Sequence, residues 1–287
     1  MGKISDALGK AGNKERPESG SVTETENRRR PEVKRSAPAS QPVPQAEIPE
    51  VVSWDKRFAA AVNEDQYLPE IFRTLRSRIL YPDEHHKVPR TIMITSTVPQ
   101  EGKSFISANL GVSLAQGMDQ HSLLVSCDLR RPTLGKLFGI EERLGLVDYL
   151  RGNRELIGLI RRTSIAKLSL LPSGRSPSNP AELLGSSRME ALVEELSHRY
   201  EDRIVIFDSP PFQLAPESTV LKQLVDAVVL VVREGKAGKY QIRKIVEEIG
   251  KDKLLGIVFN AHTTNIIERS MMKGYGSYYP TQGYNYK

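Results

Sequence analysis

The run TSTVPQEGKS (Thr95–Ser104) lies at the junction of two stretches with different periodicity. The residues before it, Arg90–Ile94, resemble a short buried strand, and those after it, Ser104–Gln116, fit an α-helix. The end of the run therefore lies where a strand gives way to a helix. Backbone N–H groups at such a helix N-terminus form a natural binding site for an anion.

Five more apolar runs predict further strands along the chain. With the first strand, at Thr91–Thr95, the predicted strands are Ser122–Cys127, Leu168–Leu171, Arg203–Phe207, Ala227–Val232 and Leu254–Phe259. Between them, helices are predicted at Ser104–Gln116, Ser187–Tyr200, Glu217–Leu224 and Tyr240–Ile249. Several of the strands are continuously apolar, which is typical of a parallel sheet covered on both faces. We therefore predict an α/β fold with a doubly wound, mainly parallel sheet flanked by helices.

Ligands of such a sheet bind at the carboxyl ends of its strands, and three polar residues are predicted there. Asp128 ends the strand LLVSCD, Asp208 ends RIVIFD, and Asn260 closes GIVFN. Asp208 suits a magnesium ion, and Asp128 could bind magnesium or accept a proton from an attacking hydroxyl group. The Asn260 amide could pair with an adenine ring. Cys127 lies inside a strand and is interpreted as a small core residue.

The run itself satisfies the second half of the phosphate-binding pattern G-x-x-x-x-G-K-[ST] and thus predicts a P-loop. Thr97 takes the place of the first glycine. Lys103 is expected to reach the β- and γ-phosphates of ATP, and the Ser104 hydroxyl is expected to bind Mg²⁺. The predicted nucleotide contacts are Thr97, Gln100, Glu101, Gly102, Lys103, Ser104, Phe105 and Asn260. Arg130 and Arg131 follow Asp128, and their guanidinium groups are candidate phosphate contacts.

Composition limits what else the chain could be. It has 287 residues, a net charge of +6 and one cysteine, which excludes an internal disulfide bond and a cysteine-rich metal site. No run approaches the ~20 apolar residues of a membrane span, so a cytoplasmic protein is expected. The positive charge is dispersed, and aromatic residues do not alternate with basic ones in the folded part. Nucleic acid is therefore not expected as a partner.

The two ends of the chain differ in character from its middle. Residues 12–50 hold six of the eighteen prolines and few apolar residues, which predicts a disordered linker. Residues 1–11 have apolar positions at helical spacing, consistent either with a short amphipathic helix or with a frayed terminus. The folded domain is assigned to residues 51–270, with order beginning near Tyr67. Residues 271–287 form a predicted flexible tail that contains five of the ten tyrosines: Tyr275, Tyr278, Tyr279, Tyr284 and Tyr286.

A helix predicted at Leu68–Tyr81 precedes the first strand. It places three apolar residues, Ile71, Leu75 and Ile79, on one face. Glu70, Arg73 and Arg76 recur at three-residue intervals on another face. From the residues alone, these charges are expected to add little stability, because exposed ion pairs are typically worth about 0.3–0.5 kcal/mol.

Together these motifs resemble the bacterial tyrosine kinases of exopolysaccharide and capsule synthesis (BY-kinases), of the cytoplasmic type. The resemblance covers roughly residues 69–287. It rests on PQEGKS as Walker A, CDLRRP as Walker A′, IFDSPP as Walker B, the segment NPAELL, the E-x-x-R-x-x-R helix and the tyrosine-rich tail. The opening GKISDALGKA also resembles the start of a subgroup of autokinases encoded beside exosortase genes.

The resemblance implies ATP- and Mg²⁺-dependent autophosphorylation of the five tail tyrosines, in trans, within a ring of identical subunits. It implies that Glu70, Arg73 and Arg76 lie at the subunit interface. It further implies a separate membrane activator of the chain-length-regulator type, which would bring the chain to the inner face of the membrane, and a cognate tyrosine phosphatase.

Three positions depart from the family pattern, and each affects the expected rate. Gln100 stands where the family often has glycine, Ser126 where it has aspartate, and the segment APES (Ala215–Ser218) covers a region where aspartate is common. Two other functions are therefore considered: a positioning ATPase of the MinD/ParA type, and a nucleotide-binding scaffold with little catalysis. The first class has a second P-loop lysine, and this chain has Val98 at that position.

Overall fold

The computed structural model describes residues 54–56, 58, 67–82, 87–199 and 202–261. Its seven strands are β1 (Thr91–Ser96), β2 (His121–Ser126), β3 (Arg161–Arg162), β4 (Leu168–Leu171), β5 (Arg203–Asp208), β6 (Ala227–Arg233) and β7 (Leu254–Asn260). The helices in these ranges are α1 (Tyr67–Leu80), α2 (Lys103–Ala115), α3 (Leu134–Leu137), α4 (Leu146–Leu150), α5 (Pro180–Leu184), α6 (Ser187–Arg199), α7 (Pro216–Leu224) and α8 (Lys239–Ile249). Short 3₁₀ turns occur at Leu156–Gly158 and Phe212–Leu214.

The strands form a single sheet in the order β3-β4-β2-β5-β1-β6-β7. All neighbouring strands run parallel except β3, which pairs antiparallel with β4. From β1 the chain winds outward through β2 and β4 on one side, returns to β5, and then continues through β6 and β7 on the other side. The direction of winding thus reverses around β1, and ligands of doubly wound sheets bind at such a reversal.

Helices cover both faces of the sheet because successive strand residues point to opposite sides. One core contains Met93, Val205 and Leu230 with the apolar residues of α6 and α8. The other contains Ile92, Ile206 and residues of α1, α2 and α3. Strands buried on both faces explain the continuous apolar runs in the sequence.

Helix α2 is buried along almost its whole length and therefore has little amphipathic character. It packs closely on β2: a Cβ atom at Gly111 would lie 2.9 Å from a methyl carbon of Leu124. Glycine at this position therefore allows the helix to approach the sheet. The approach places the N-terminus of α2 directly above the ends of the central strands.

The doubly wound, mainly parallel sheet is confirmed, and each predicted strand differs from the observed one by at most one residue at either end. The two-residue strand β3 was not predicted. On α1, Ile71 is 43% exposed, whereas Phe72 and Ile79 are buried in the core. Packing also begins before Tyr67, because the fully buried Phe58 contacts Phe138 edge-on.

The predictions for residues 1–11, the linker 12–50 and the tail 271–287 lie outside the described residues. Within the described ranges, none of the helices has both the length and the apolar character required to cross a bilayer.

Candidate active site

The P-loop joins the carboxyl end of β1 to the N-terminus of α2. Gly102, the residue before α2, has φ +93°, a conformation that favours glycine. No side chain caps the N-terminus of α2. The first N–H groups of an α-helix have no partner within the helix, so those of Lys103, Ser104 and Phe105 can bind a phosphate oxygen. The Phe105 side chain itself packs against the core.

Glu101 lies inside the loop but its side chain faces the protein interior. The residue is fully buried. Its carboxylate accepts hydrogen bonds from the backbone N–H of Val98 at 2.8 Å and from that of Arg233 at 3.1 Å. Glu101 was predicted to contact nucleotide, and that contact stays a prediction; in the structure both side-chain oxygens are engaged with backbone N–H groups.

Asn260, at the end of β7, lies against the P-loop. Its Nδ2 donates to the Glu101 carbonyl oxygen at 2.8 Å. A Cβ atom at Gly102 would approach the same nitrogen to 2.1 Å, so no larger residue fits at position 102 without displacing Asn260. The predicted contact with adenine stays a prediction, and the contact that the structure shows is with the loop.

Lys103 and Asp128 form an ion pair at the centre of the site. The Lys103 Nζ lies 2.8 Å from the Asp128 Oδ2, and the side chains are only 12% and 6% exposed. The other Asp128 oxygen accepts the backbone N–H of Arg131 at 3.1 Å. Burial acts to lower the pKa of Lys103, but Asp208 and Asp128 together outweigh it and raise that pKa above its ordinary value. The lysine is therefore charged, and both carboxylates favour that charge.

Asp208 ends β5 and is fully buried. Its Oδ1 accepts a hydrogen bond from Ser107 Oγ at 3.2 Å. Burial is the main cause that raises the pKa of Asp208 from 3.8 to about 6, and the Lys103 charge opposes that rise. A carboxylate in this environment gains from a nearby cation, so the site favours a positively charged ligand.

Several buried polar atoms of the P-loop and of the ends of β2 and β5 have no hydrogen-bond partner in the described part of the chain. They include Asp208 Oδ2, Ser126 Oγ and Thr97 Oγ1. Ser126 lies beside Asp208 in the pairing of β2 with β5. The nearby Ser104 Oγ accepts a hydrogen bond from Thr133 at 2.8 Å. Unsatisfied buried oxygens are costly, and hard cations such as Mg²⁺ bind oxygen, so this donor set fits a magnesium ion.

The described residues hold no group of three or more His, Cys, Asp and Glu side chains arranged as a metal site. A magnesium ion held by one or two carboxylates commonly takes its other ligands from substrate phosphates and water. The two carboxylates and Ser104 thus suit a metal that arrives with a nucleotide.

Arg130 and Arg131, both predicted phosphate contacts, differ in their surroundings. The Arg130 guanidinium binds Glu217 of α7 through Nε at 2.8 Å and Nη2 at 3.5 Å. Glu217 is 1% exposed and Arg130 is 51% exposed. Arg130 is therefore already paired with a buried carboxylate from the APES segment. No side-chain hydrogen bond or ion pair involves Arg131 among the residues that the structure describes, so Arg131 is available to a ligand.

The three charged residues of α1 also differ in their contacts. Glu70 and Arg73 pair at 3.0 Å on the helix surface, and both are more than 40% exposed. Arg76 instead donates to the Ser113 carbonyl oxygen of α2 at 2.6 Å. Arg76 thus links α1 to the end of α2, whereas Glu70 and Arg73 face outward.

Several contacts of the site were not predicted: those made by Ser107, Thr133, Glu217 and the Glu101 side chain. Ser107 gave a local signal, since it lies one helical turn after Lys103. Glu217 belongs to the APES segment, which had been noted only for lacking aspartate.

Gln100 has φ +64°, a left-handed conformation that is unfavourable for residues other than glycine. We expect Gln100→Gly to stabilise the protein by about 0.5–1 kcal/mol, because relief of strain exceeds the added entropy of the unfolded chain. Chemical denaturation of wild type and variant would measure this change in the free energy of unfolding. Gln213→Gly is the matched control, since Gln213 is also exposed but is not among the positive-φ residues, and it should be destabilising. Equal losses in both variants would contradict the strain at position 100.

The comparison with known proteins decides the family. The chain is 36% identical to the tyrosine-protein kinase YwqD of Bacillus subtilis over 208 residues, which cover 71% of this chain and 86% of that protein. The chain belongs to the bacterial tyrosine kinases. Some relatives are longer: the chain spans 28% of the tyrosine-protein kinase ptk of Acinetobacter johnsonii, at 32% identity. No protein-family model matches the chain.

Solved structures agree with this assignment. The chimerical protein CapA2B2 is 30% identical with a TM-score of 0.65, covering 74% of this chain and 92% of that one. The kinase domain of Escherichia coli tyrosine kinase ETK is 27% identical with a TM-score of 0.64, covering 77% and 88%. MinD of Pyrococcus horikoshii, complexed with Mg-ADP, is 23% identical with a TM-score of 0.50 over 59% of this chain, and shares the fold. This tyrosine kinase therefore has the P-loop NTPase fold.

A groove of about 450 Å³ elsewhere on this kinase is lined by residues between Leu144 and Leu159, among them Arg154 and Ile157. None of the candidate site residues borders it. This groove is therefore separate from the candidate site.

Proposed function

We propose that this chain transfers the γ-phosphate of ATP to tyrosines of its own C-terminal segment, acting between subunits, and that it regulates exopolysaccharide polymerisation or export. The observation that carries the proposal is the position of Lys103. Its Nζ lies 2.8 Å from Asp128, and its charge is favoured by Asp208. Lys103 is also the first residue of α2, whose N-terminus has no side-chain cap. Membership of the tyrosine kinase family supports the reaction type.

In this proposal the backbone of residues 100–105 holds the phosphates, and Lys103 neutralises charge on the β and γ oxygens. Ser104 and Asp208 hold Mg²⁺, with Asp128 as a further ligand candidate. The metal, when bound, supplies positive charge to the phosphate oxygens during transfer. The chain contributes mainly position and charge, because phosphoryl transfer demands little covalent chemistry from the protein.

Asp128 is proposed to orient the incoming tyrosine hydroxyl and to take its proton. Asp128 is 6% exposed on its side chain and lies at the strand end, where an acceptor can approach it. Arg131 is the available guanidinium beside it and is proposed to contact the phosphate. Arg130 can contribute only through the part of its guanidinium that Glu217 leaves free.

The remaining elements of the proposal concern assembly. Residues 51–270 are the kinase domain and residues 271–287 the acceptor segment, with Tyr275, Tyr278, Tyr279, Tyr284 and Tyr286 as sites. Glu70 and Arg73 are proposed to contact a second copy of the chain in a ring, and Arg76 to support them through α2. A separate membrane protein is proposed as activator at the inner face of the membrane, and a tyrosine phosphatase is proposed to remove the phosphate from the tail tyrosines.

A mixing experiment tests transfer between subunits. One chain carries Lys103→Met and keeps its tyrosines, and the other is active but carries phenylalanine at the five sites. Both are expressed together with the candidate activator, and intact mass and peptide mapping locate the phosphate. Phosphate is expected on the Lys103→Met chain in the mixture, and neither chain alone should carry any in residues 271–287.

Phosphate on wild type but not on the mixed Lys103→Met chain would mean transfer within one subunit. If wild type carried no phosphotyrosine but hydrolysed ATP, the MinD-like ATPase function would replace the kinase. Binding of ATP without turnover would leave a nucleotide-binding scaffold.

A further inference from the structure

The P-loop is bonded to the ends of two neighbouring strands through one residue. The Glu101 carboxylate accepts the backbone N–H of Arg233, the last residue of β6, at 3.1 Å, and that of Val98, at the start of the loop, at 2.8 Å. The Glu101 carbonyl oxygen accepts Asn260 Nδ2 at 2.8 Å from the end of β7. Residue 101 is thus linked to β6 by its side chain and to β7 by its main chain.

These links act on the part of the loop that binds phosphate. Glu101 precedes Gly102, and the free N–H groups of Lys103 and Ser104 follow within two residues. The Asn260 amide also sits where a Cβ of Gly102 would lie, only 2.1 Å from that position. The peptide units before α2 therefore have little freedom to turn away from a bound phosphate.

The Glu101 contacts are well suited to hold a fixed geometry. Glu101 is fully buried, and each of its oxygens accepts one backbone N–H, so neither needs a contact from a ligand. Loss of either acceptor would leave a backbone N–H without its partner, which disfavours the present loop conformation. After Asn260 the chain turns at Ala261, which has φ +52°.

We propose that Glu101 and Asn260 form a brace that fixes the phosphate-binding shape of the P-loop, and that Asn260 acts through the loop rather than on the nucleotide base. The proposal rests on the proposed function, since it assumes that the loop binds nucleotide phosphates. Both are positioning residues, because the structure places their side chains on the loop backbone.

The two roles of Asn260 make different predictions about ligands that differ in the base. The dissociation constants of Mg-ADP, Mg-GDP and inorganic pyrophosphate with Mg²⁺ would be measured for wild type and Asn260→Ala by calorimetry. A brace acts on the phosphates alone, so Asn260→Ala should weaken all three by the same factor, about tenfold. A base contact would weaken Mg-ADP, change its preference over Mg-GDP, and leave pyrophosphate unaffected.

Glu101→Gln tests the other half of the brace. Glutamine keeps the size of the side chain, but its NH₂ group would face a backbone N–H, so one of the two hydrogen bonds is lost. We expect all three ligands to bind roughly tenfold more weakly. For both variants the KM for ATP should rise by a similar factor, whereas kcat for tyrosine phosphorylation should stay within about twofold.

Asn153→Ala and Glu190→Gln are the matched controls, since both residues are exposed and lie far along the chain from the loop. They should bind as wild type does. Thermal unfolding without ligand identifies a general loss of folding, and if Glu101→Gln fails to fold, Asn260→Ala still decides the proposal.

Unchanged pyrophosphate binding in Asn260→Ala would overturn the brace. A change confined to the ADP-to-GDP preference would do the same and would assign Asn260 to the base. If wild type bound none of the three ligands, the proposed function and the brace would both fail. If wild type bound them but formed no phosphotyrosine with the activator, only the kinase proposal would fail.

Discussion

Asp208→Asn is expected to produce a protein that is more stable than wild type but transfers phosphate much more slowly. Activity should fall by about 10²–10³, because a preorganised charge for the metal and phosphates is lost. Stability should rise because the buried carboxylate is costly to ionise in the absence of ligand. Its pKa of about 6, against 3.8 for an ordinary aspartate, corresponds to about 3 kcal/mol at neutral pH.

The gain in stability of Asp208→Asn over wild type should be larger at higher pH. Between pH 3.8 and about 6 the folded protein binds more protons at Asp208 than the unfolded chain does, so wild-type stability falls as pH rises through this window. Above about pH 6 the full penalty applies, and below about pH 4 it is absent. Asparagine cannot ionise, so Asp208→Asn should exceed wild type in stability at pH 7.5 and match it at pH 4.

Thermal unfolding at several pH values, without nucleotide or magnesium, would measure this effect. The expected rise in Tm at pH 7.5 is roughly 5–10 °C for a domain of this size. Asp119→Asn is the control, since Asp119 is exposed and its replacement should not change the pH dependence. A Tm of Asp208→Asn at or below wild type at pH 7.5 would contradict the buried, uncompensated state of this carboxylate.

Lys103→Met is expected to lose activity as well, but with the opposite change in stability. Phosphoryl transfer should fall by about 10²–10³, because the positive charge on the transferring group is removed. Without Lys103, the buried Asp128 loses its ion-pair partner and Asp208 loses the main charge that favours its ionised form. Removing one partner of a buried pair typically costs about 3–5 kcal/mol.

Activity would be followed by phosphotyrosine formation and stability by urea denaturation at pH 7.5. The control is Lys136→Met, because Lys136 is an exposed lysine of α3 and should change neither quantity. If Lys103→Met were as stable as Asp208→Asn, the ion pair with Asp128 would have no energetic role.

The strands and the main helices were predictable because their signals are local. Continuous apolar runs locate β1, β5 and β6, and the junction at Gly102 locates α2. The two-residue strand β3 has too few residues for a pattern, and it exists because β4 offers an edge. On α1 the exposed Ile71 and the buried Phe72 are adjacent, and periodicity alone did not decide which of them faces the core.

The candidate site was only partly predictable. Lys103, Asp128 and Asp208 could be proposed because each lies at, or within two residues of, the end of an element with a clear pattern. Two of the contacts join residues more than 80 positions apart in the chain, Glu101 with Arg233 and Arg130 with Glu217, so only the folded sheet brings these partners together. Local sequence patterns indicate residues of suitable chemistry, but they do not show which of these side chains already bond to other parts of the protein.

The ion pair between Lys103 and Asp128 implies a sequence of events in the reaction. In the proposed reaction Asp128 takes the tyrosine proton, and its pairing with Lys103 opposes that role because the lysine charge favours the ionised, unprotonated carboxylate. Phosphates that attract Lys103 release Asp128 at the same moment. Under the proposed function, the proton acceptor would thus become available only once the phosphate donor is in place. Such an enzyme would work by ordered addition, nucleotide before tyrosine.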